Sequence, residues 1–404
     1  MLTFAGMQAV AGNIWKLYVL KVSRWFMLFM PIFILFYEDL GLTLREITLL
    51  QSGYYLTIAI LEIPSGYFSD RYGRRNTLII GTTATFTGFL LYTFASSFLW
   101  LLLAEICLGV GMSFVSGTDS ALLFESLKAT GKEATYIRHE GRVVSIGNFA
   151  EGLAGIAGGI LAGISLRYPY IAQCAVSLIA VPVAWSLKEA EVTDPENRKI
   201  TPVREILRFL STENKALSAV MMYSAVLGVA TLLMAKIFLQ PTFQRIGLPV
   251  FWFGFMWTGL QFIVGITAYF SGHLDDKFGK RTMAWVMLCG ITGGFLCMPF
   301  FGNWYVLILF SIFYAIRGLA TPLMRSYINI LCPAGMRATV LSIRSFVIRC
   351  IAAIASPFLG WLADVYSLDH ALWMAGGMFL VLGILTLIWV MGSGALAQLN
   401  KSRN

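Results

Sequence analysis

The chain contains few charged side chains for its length and only three histidines. Asp, Glu, Lys and Arg together make up 13% of the residues, whereas soluble domains carry about 25%. Hydrophobic residues make up 58%. A soluble protein of 404 residues could not bury so much apolar surface, so lipid must cover a large part of it. The composition therefore predicts an integral membrane protein.

Motifs for metal, disulfide and nucleotide chemistry are also missing. No two of the six cysteines form a Cys-x-x-Cys pair, and the three histidines show no ligand spacing. We predict that the cysteines are small buried apolar residues and that the protein has neither a metal site nor a cofactor. The chain has no Gly-x-x-x-x-Gly-Lys-Ser/Thr loop and no nucleophile elbow. We therefore expect neither ATP-driven transport nor enzymatic catalysis.

Long apolar runs recur along the whole chain. A run of about twenty apolar residues crosses a bilayer as a helix, which satisfies its own backbone groups in lipid. We predict an all-α membrane protein with about twelve transmembrane helices. The predicted spans are 15–37, 46–69, 77–95, 98–125, 141–166, 169–187, 216–240, 250–272, 282–301, 304–328, 338–363 and 371–393.

The net charge of +9 comes mainly from loops on one predicted side of the membrane. The opposite loops hold little beyond Arg45, Arg167 and Arg245. Because Lys and Arg favour cytoplasmic loops, we predict that both termini are cytoplasmic, in the plasma (bacterial inner) membrane, and we expect no nucleic-acid binding. The first dozen residues lack the pattern of a removable signal peptide. The basic loop residues are Arg71, Arg74, Arg75, Lys128, Lys132, Arg138, Lys188, Arg198, Lys199, Arg204, Arg208, Lys215, Lys277, Lys280, Arg281, Arg337, Lys401 and Arg403.

Two ten-residue segments, Gly66–Arg75 and Gly272–Arg281, repeat the same pattern of glycine, aspartate, aromatic and basic residues. Asp276 minus Asp70 gives an offset of 206 residues, about half the chain. Gly158 and Gly360 repeat at a similar offset, since 360 minus 158 is 202. Internal repeats of this kind indicate a duplicated transporter. We predict two six-helix pseudo-repeats, 1–190 and 216–404, joined by a cytoplasmic linker, 191–215, in which 202–209 forms a short helix on the membrane surface.

The turn Gly-x-x-x-Asp-Arg-x-Gly-Arg-Arg at 66–75, together with its weaker copy at 272–281, resembles the signature of the major facilitator superfamily. The likeness covers the whole chain in topology but only short segments in sequence. It implies a secondary transporter that works by alternating access, similar to the efflux or drug–proton antiporter branch. We expect a functional monomer whose partners are membrane lipid, a small-molecule substrate and protons.

The resemblance also implies that the turns act as a conformational latch. Asp70 would pair with Arg337 or Arg344 of the eleventh span, and Arg74 would reach Glu125 at the end of the fourth. The alternative is that the turns only fix the topology through their charge. The remaining residues assigned to the latch are Gly66, Arg71, Gly73, Arg75, Gly272, Asp276, Gly279, Lys280 and Arg281.

Two segments depart from the efflux pattern. The resemblance would place an arginine early in the fourth span, where this chain has Glu105 four residues before Gly109. It would also place a Gly-Pro pair within the fifth span, where Ala154 and Gly155 stand instead, although Pro357 lies at the matching place in the second half. Both departures weaken an assignment as a multidrug antiporter.

Several ionisable side chains fall inside the predicted spans, where each costs roughly 2.5–3.5 kcal/mol unless it pairs, lines water or functions. The substrate-binding candidates are Arg24, Lys21, Arg317, Arg349 and Asp119, and the proton-coupling candidates are Glu151 and Asp119. If the family arrangement holds, the first, fourth, seventh and tenth spans line the cavity.

Each candidate also has a structural alternative. Arg24 could form a buried pair with Glu151, and Arg349 could pair across a helix interface. Lys21 and Lys236 could extend to the membrane surface. Arg344 suits the latch better than a substrate site, whereas Arg317 has no nearby acid in its own span.

The surplus of arginine favours a substrate with carboxylate or phosphate groups. We therefore predict a proton-coupled exporter of a small organic solute, a carboxylate-rich metabolite or a siderophore-like chelator. The alternatives are a multidrug/proton antiporter for amphipathic cations, a proton-coupled uptake symporter, and a transporter-fold receptor without turnover.

Overall fold

The computed structural model describes residues 10–132, 135–189, 208–333 and 336–401, and secondary structure in these ranges is helical throughout. The all-α prediction is confirmed. The first-half helices are α1 Asn13–Trp25, α2 Phe33–Asp39, α3 Leu44–Tyr72, α4 Arg74–Phe94, α5 Phe98–Val115, α6 Thr118–Ala129, α7 Tyr136–Ala162 and α8 Tyr168–Ser186. Those that follow are α9 Lys215–Leu233, α10 Leu239–Arg245, α11 Val250–Phe278, α12 Lys280–Cys297, α13 Val306–Leu331, α14 Arg337–Val365, α15 Leu368–Gly392 and α16 Ala395–Lys401.

Eleven helical segments within the described ranges are long and apolar enough to cross a membrane. The remaining predicted span, 46–69, lies in α3, which has 29 residues and is therefore also long enough to cross. Polar residues such as Gln51, Tyr54 and Glu62 make α3 less apolar than the other eleven. The length of α3 and its position in the sequence match the second predicted span, and α3 completes the set of twelve predicted spans.

Three of the predicted spans are interrupted rather than continuous. The first is broken between α1 and α2, where Met30–Ile32 forms a short 3-10 helix with Pro31 at its start. The fourth is broken between α5 and α6 at Gly117, whose φ of 82° lies in the left-handed region that favours glycine. The seventh contains a π-helical turn at Met234–Phe238 between α9 and α10. Such breaks expose backbone groups, which are tolerated at membrane depth only inside protein or beside water.

The chain divides into two compact units. Within the described residues, the first comprises 10–42, 49–132, 135–189 and 249–258. Leucines from α1, α4 and α6 form one of its apolar clusters. The close packing of α4 on α5 is a separate feature, and it depends on glycine. A Cβ at Gly88 would lie 2.8 Å from the Leu108 side chain. The cluster includes Leu17, Leu20, Leu78, Leu122 and Leu127.

The first unit also includes the beginning of α11, which packs closely on α7. A Cβ at Gly254 would overlap the carbonyl oxygen of Gly155 and lie 2.9 Å from the Cα of Gly159. The Thr258 hydroxyl donates to the carbonyl of Gly152 at 2.9 Å. Small residues therefore allow these two helices to approach at backbone distance.

The second unit comprises 43–48, 208–248, 259–333 and 336–401 within the described residues. Its core is built around α9, whose side chains are mostly buried. The beginning of α3 belongs to this unit because Asp364 of α14 caps it. The two Asp364 carboxylate oxygens accept from the backbone N–H groups of Leu44 at 3.0 Å and Arg45 at 2.7 Å. These are orphan donors of a helix N-terminus, which a carboxylate satisfies well.

Most of the predicted linker, including the surface helix expected at 202–209, lies outside the described residues. The division into 1–190, 191–215 and 216–404 therefore stays a prediction. Many large apolar side chains on the described helices are exposed, among them Ile60, Ile354 and Tyr269. A belt of this kind suits a surface covered by lipid.

Candidate functional site

Asp119 lies at the centre of a charged cluster inside the first unit. Its Oδ2 is 3.2 Å from Nζ of Lys21 and 3.5 Å from Nη1 of Arg24. The Asp119 and Lys21 side chains are 11% and 12% exposed, and that of Arg24 is 24% exposed. Nη2 of Arg24 lies 3.0 Å from the sulfur of Met112, which is a weak acceptor. Two cations thus share one carboxylate, so the cluster carries a surplus positive charge.

The backbone explains this convergence. Lys21 and Arg24 are three residues apart in α1, so both side chains lie on one helix face. Asp119 stands in the first turn of α6, directly after the break at Gly117. The positive end of the helix dipole favours a carboxylate at that position, and Oδ1 also accepts from the backbone N–H of Ser120 at 2.9 Å.

The structure places Arg24 beside Asp119, and the pairing of Arg24 with Glu151 stays a prediction. Glu151 lies near the midpoint of α7 and is partly buried. Its proton-coupling role, like that of Asp119, stays a prediction.

Arg317 lies near the midpoint of α13 in the second unit. Its guanidinium carbon stands 5.2 Å from the ring centre of Tyr314, one turn away, in a cation–π contact. Its Nη1 is buried and has no hydrogen-bond partner among the residues that the structure describes. A buried donor without a partner costs about 1–3 kcal/mol, so the position favours binding of an acceptor.

The remaining arginine candidates of this unit lie on α14. Nε of Arg344 donates to the Ser224 hydroxyl of α9 at 2.6 Å. Arg349 lies near the midpoint of α14 and is partly buried. Arg337 is exposed, and its Nε donates to the carbonyl of Cys332 at 3.3 Å. None of these contacts tests the predicted latch with Asp70.

The first repeated turn is organised around Arg74, which is buried. Its Nη2 lies 2.7 Å from Oδ1 of Asp70, and its Nε lies 3.3 Å from Oε1 of Glu125 on α6. Nη1 donates to the Ser69 hydroxyl at 2.7 Å. The turn is sharp because Gly73 adopts a φ of 93°. Arg71 is exposed and donates to the Tyr67 hydroxyl at 3.0 Å.

The second turn uses a different carboxylate. Lys280 is buried, and its Nζ lies 2.9 Å from Oδ2 of Asp275, to which the Tyr327 hydroxyl also donates. Asp276, the residue that matches Asp70, is exposed, as is Arg281. Gly279 adopts a φ of 81°. A Cβ at Gly66 or Gly272 would meet nothing within 4 Å among the described residues, so no close helix contact requires glycine at either position.

Sequence reasoning missed the residue that caps α4. The Glu189 carboxylate accepts from the backbone N–H of Arg74 at 2.7 Å and of Arg75 at 2.9 Å. Nη2 of Arg75 donates to the carbonyl of Trp185 at 2.8 Å. The end of α8 is thus attached to the turn between α3 and α4. The signal in the sequence was the first of several acidic residues after an apolar span.

Sequence reasoning also missed a polar network around Glu105 of α5. Its Oε1 accepts from the Tyr37 hydroxyl and from Nε2 of Gln51, each at 2.8 Å. The hydroxyls of Tyr37 and Tyr92 lie 2.5 Å apart. Glu105 is only 4% exposed. The signal in the sequence was an acidic residue within a predicted span.

Taken together, the long apolar helices and the charged residues within them indicate an integral membrane protein. The family model described as the Major Facilitator Superfamily matches residues 22–314 and 237–403. The chain belongs to the major facilitator superfamily.

Three relatives are about a quarter identical to this chain over the residues that align. An uncharacterized transporter of Methanocaldococcus jannaschii is 24% identical over 260 residues, which are 62% of each chain. The Fosmidomycin resistance protein of Escherichia coli K12 is 26% identical over 285 residues, 68% of this chain and 66% of that one. Multidrug resistance protein D of the same strain is 23% identical over 312 residues, 72% and 73% of the two chains.

Solved structures support the fold. The nucleoside transporter NupG superposes with a TM-score of 0.74 at 13% identity, covering 95% of this chain and 98% of that one. A D-xylose-proton symporter superposes with a TM-score of 0.71 at 13% identity, covering 97% and 99%. At this identity the likeness concerns the fold and not the substrate.

Proposed function

We propose that the protein is a proton-coupled secondary transporter that exports a small organic solute carrying carboxylate groups. The observation that carries the proposal is the excess of cations at partly buried positions. Lys21 and Arg24 share Asp119 in one unit, and Arg317 in the other has a buried Nη1 without a hydrogen-bond partner in the described residues.

The arginine geometry suits an anion better than a cation. Arg24 is not saturated by Asp119, because its contact is 3.5 Å long and its second nitrogen meets only a thioether. A carboxylate of the substrate would offer a stronger, charge-assisted acceptor to such donors. Guanidinium groups bind carboxylates through two parallel hydrogen bonds, which adds selectivity as well as affinity.

Direction and energy source are supported by the relatives and by the sequence. Two of the relatives carry resistance in their names, which favours export. The chain has no phosphate-binding loop, so an ion gradient or the gradient of the solute must supply the energy. We further propose that the protein works as a monomer in the plasma membrane with both termini in the cytoplasm.

A second candidate is a multidrug/proton antiporter for amphipathic cations. It is favoured by the likeness to Multidrug resistance protein D and by the buried Asp119, which would bind a cation if the substrate displaced Lys21. The first candidate predicts transport of anionic solutes, and the second predicts transport of cationic ones.

The test is counterflow in proteoliposomes that contain the purified protein. Labelled citrate and succinate represent the carboxylates, and tetraphenylphosphonium represents the amphipathic cations. We expect exchange of a carboxylate, with loss of exchange in Arg317→Ala and normal exchange in Arg325→Ala, an exposed arginine of the same helix. Exchange of tetraphenylphosphonium alone would contradict the proposal and support the antiporter.

A further inference from the structure

Glu105 is the most deeply buried carboxylate side chain of the first unit that no proposed role yet uses. It is 4% exposed and stands in the second turn of α5. The donors that bond its Oε1, the Tyr37 hydroxyl and the Gln51 amide, are both neutral. Neutral donors offset the cost of burying a charged carboxylate only in part.

Asp119 is in the opposite situation. Two cations, Lys21 and Arg24, lie within 3.5 Å of its Oδ2. Of these two carboxylates, Glu105 is the one whose Oε1 is bound by neutral donors.

The network around Glu105 connects several helices. Tyr37 belongs to α2, Gln51 to α3 and Tyr92 to α4, so a change in the charge of one carboxyl group on α5 acts on three neighbouring elements. A hydrogen bond to a charged carboxylate is roughly twice as strong as one to a neutral group. Protonation of Glu105 would therefore weaken the contacts that connect α2 and α3 to α5.

The surroundings of Glu105 contain further titratable groups. Tyr55 of α3 and Tyr170 of α8 interact electrostatically with its carboxyl group. Both hydroxyls are buried and have no hydrogen-bond partner within the described ranges. Arg167 is a charged group at this end of α4 and α8, and its Nη1 and Nη2 donate to the carbonyls of Thr93 and Ala95.

The network also lies near the ends of its helices. Glu105 is seven residues after the start of α5 at Phe98, and Gln51 is seven residues after the start of α3 at Leu44. At 1.5 Å per residue, each lies about 10 Å along its helix from that end. Tyr92 is two residues before the end of α4 at Phe94. The carboxyl group therefore lies closer to the Phe98 end of α5 than to its Val115 end.

We propose that Glu105 is the proton-binding residue of the transport cycle, with Tyr37, Tyr92 and Gln51 as its positioning network. The carboxylate takes up one proton from water on one side of the membrane and returns it to water on the other side, and no other bond is made or broken. The assignment rests on the proposed proton-coupled function and replaces Glu151 and Asp119 as the first residue to test.

The first test needs no substrate. Infrared difference spectra of the purified full-length protein are recorded between about pH 5 and pH 9, a range that covers raised carboxyl values. We expect a titrating carbonyl band of a protonated carboxyl group that is missing in Glu105→Gln and retained in Asp119→Asn and Glu151→Gln. Superimposable spectra of the wild type and Glu105→Gln would overturn the proposal.

A second variant keeps the test decisive if Glu105→Gln does not fold. Tyr37→Phe keeps the shape of the ring but removes one hydrogen bond to the carboxyl group. We expect the same band at a higher frequency, because the carbonyl loses a donor. An unshifted band would show that the titrating group is not Glu105.

A transport measurement separates this proposal from the proposed substrate class. With citrate as the probe, Glu105→Gln should lose pH-gradient-driven accumulation by about tenfold or more while keeping citrate–citrate counterflow. Full gradient-driven accumulation in the variant would overturn the role of Glu105. If the wild type does not exchange citrate, the carboxylate proposal fails, and the infrared measurement alone decides the role of Glu105.

Discussion

Arg74 and Lys280 occupy matching positions in the two repeated turns, and both are buried. Each contacts a carboxylate of its own turn, Asp70 for Arg74 and Asp275 for Lys280, but Arg74 has a further carboxylate partner. Glu125 of α6 reaches Arg74 in the first turn, whereas Asp275, inside the second turn itself, reaches Lys280. The position that matches Glu125 at the 202-residue offset is Tyr327, which donates to Asp275. Both turns therefore place a carboxylate beside the buried cation, but a tyrosine stands in the second half where the first half has Glu125.

This arrangement predicts that Arg74 stabilises the first unit strongly. Arg74→Ala removes the cation beside the Glu125 side chain, which is 10% exposed. Removing one partner of a buried ion pair typically costs on the order of 3 kcal/mol. We expect a clear decrease in the unfolding temperature of the detergent-solubilised protein.

Arg71→Ala is the matched control, since Arg71 belongs to the same turn but is exposed. It should change the unfolding temperature little. Equal effects of the two substitutions would mean that the turn acts through its total charge and not through the buried pair.

Arg317 makes a prediction about binding. One charge-assisted hydrogen bond contributes about 1.5–3 kcal/mol. Arg317→Ala should therefore weaken binding of a carboxylate ligand by roughly tenfold to a hundredfold, and Arg317→Lys should restore part of it. Titration by calorimetry measures both, and Arg325→Ala serves as the control on the same helix. Unchanged affinity in Arg317→Ala would remove this residue from the site.

Residue partners were the least predictable part of the site. The presence of Lys21, Arg24 and Asp119 inside spans was visible in the sequence, but the convergence of the two cations on Asp119 depends on how α1 and α6 pack. The neutral donors around Glu105 come from three different helices. No spacing along one helix can indicate contacts of this kind.

At the scale of elements, the hydropathy pattern located the helices well. The predicted span 250–272 corresponds to α11, Val250–Phe278, and the others shift by similar small amounts. The interruptions were not predicted, although the break at Gly117 lies in a stretch of small polar residues, 116–120, that is typical of turns. Hydropathy reports burial in lipid, whereas a single left-handed residue changes the path of the chain without changing hydropathy.

The contact between α7 and α11 makes a prediction at this scale. Gly254→Ala would place a methyl group against the Gly155 carbonyl and within 2.9 Å of Gly159, forcing the two backbones apart. Overpacking of this kind typically costs about 1–3 kcal/mol. We expect a lower unfolding temperature in detergent.

Gly259→Ala is the control on the same helix, because a Cβ at Gly259 would meet nothing within 4 Å in the described structure. It should leave the unfolding temperature unchanged or raise it slightly, since alanine is the better helix former. If the two substitutions have the same effect, the close approach at Gly254 does not contribute to stability.

At the scale of the whole molecule, composition and the internal repeat were sufficient to predict the class of protein. A chain with 58% hydrophobic residues and a charged turn repeated half a chain apart leaves few architectures open. The identity of the substrate is harder to predict from the sequence, because members of one fold differ in the few side chains that line the site. The excess of cations at partly buried positions favours an anionic substrate.

The central claim is that this excess binds an anionic solute. The most direct measurement is the unfolding temperature of the purified protein against ligands sorted by charge, at pH 6 and pH 8, since a ligand that binds the folded state raises that temperature. We predict stabilisation by carboxylates that is lost in Arg317→Ala and in Arg24→Ala. Stabilisation by lipophilic cations instead, chiefly at pH 8, would contradict the claim and make Asp119 and Glu151 the residues to study.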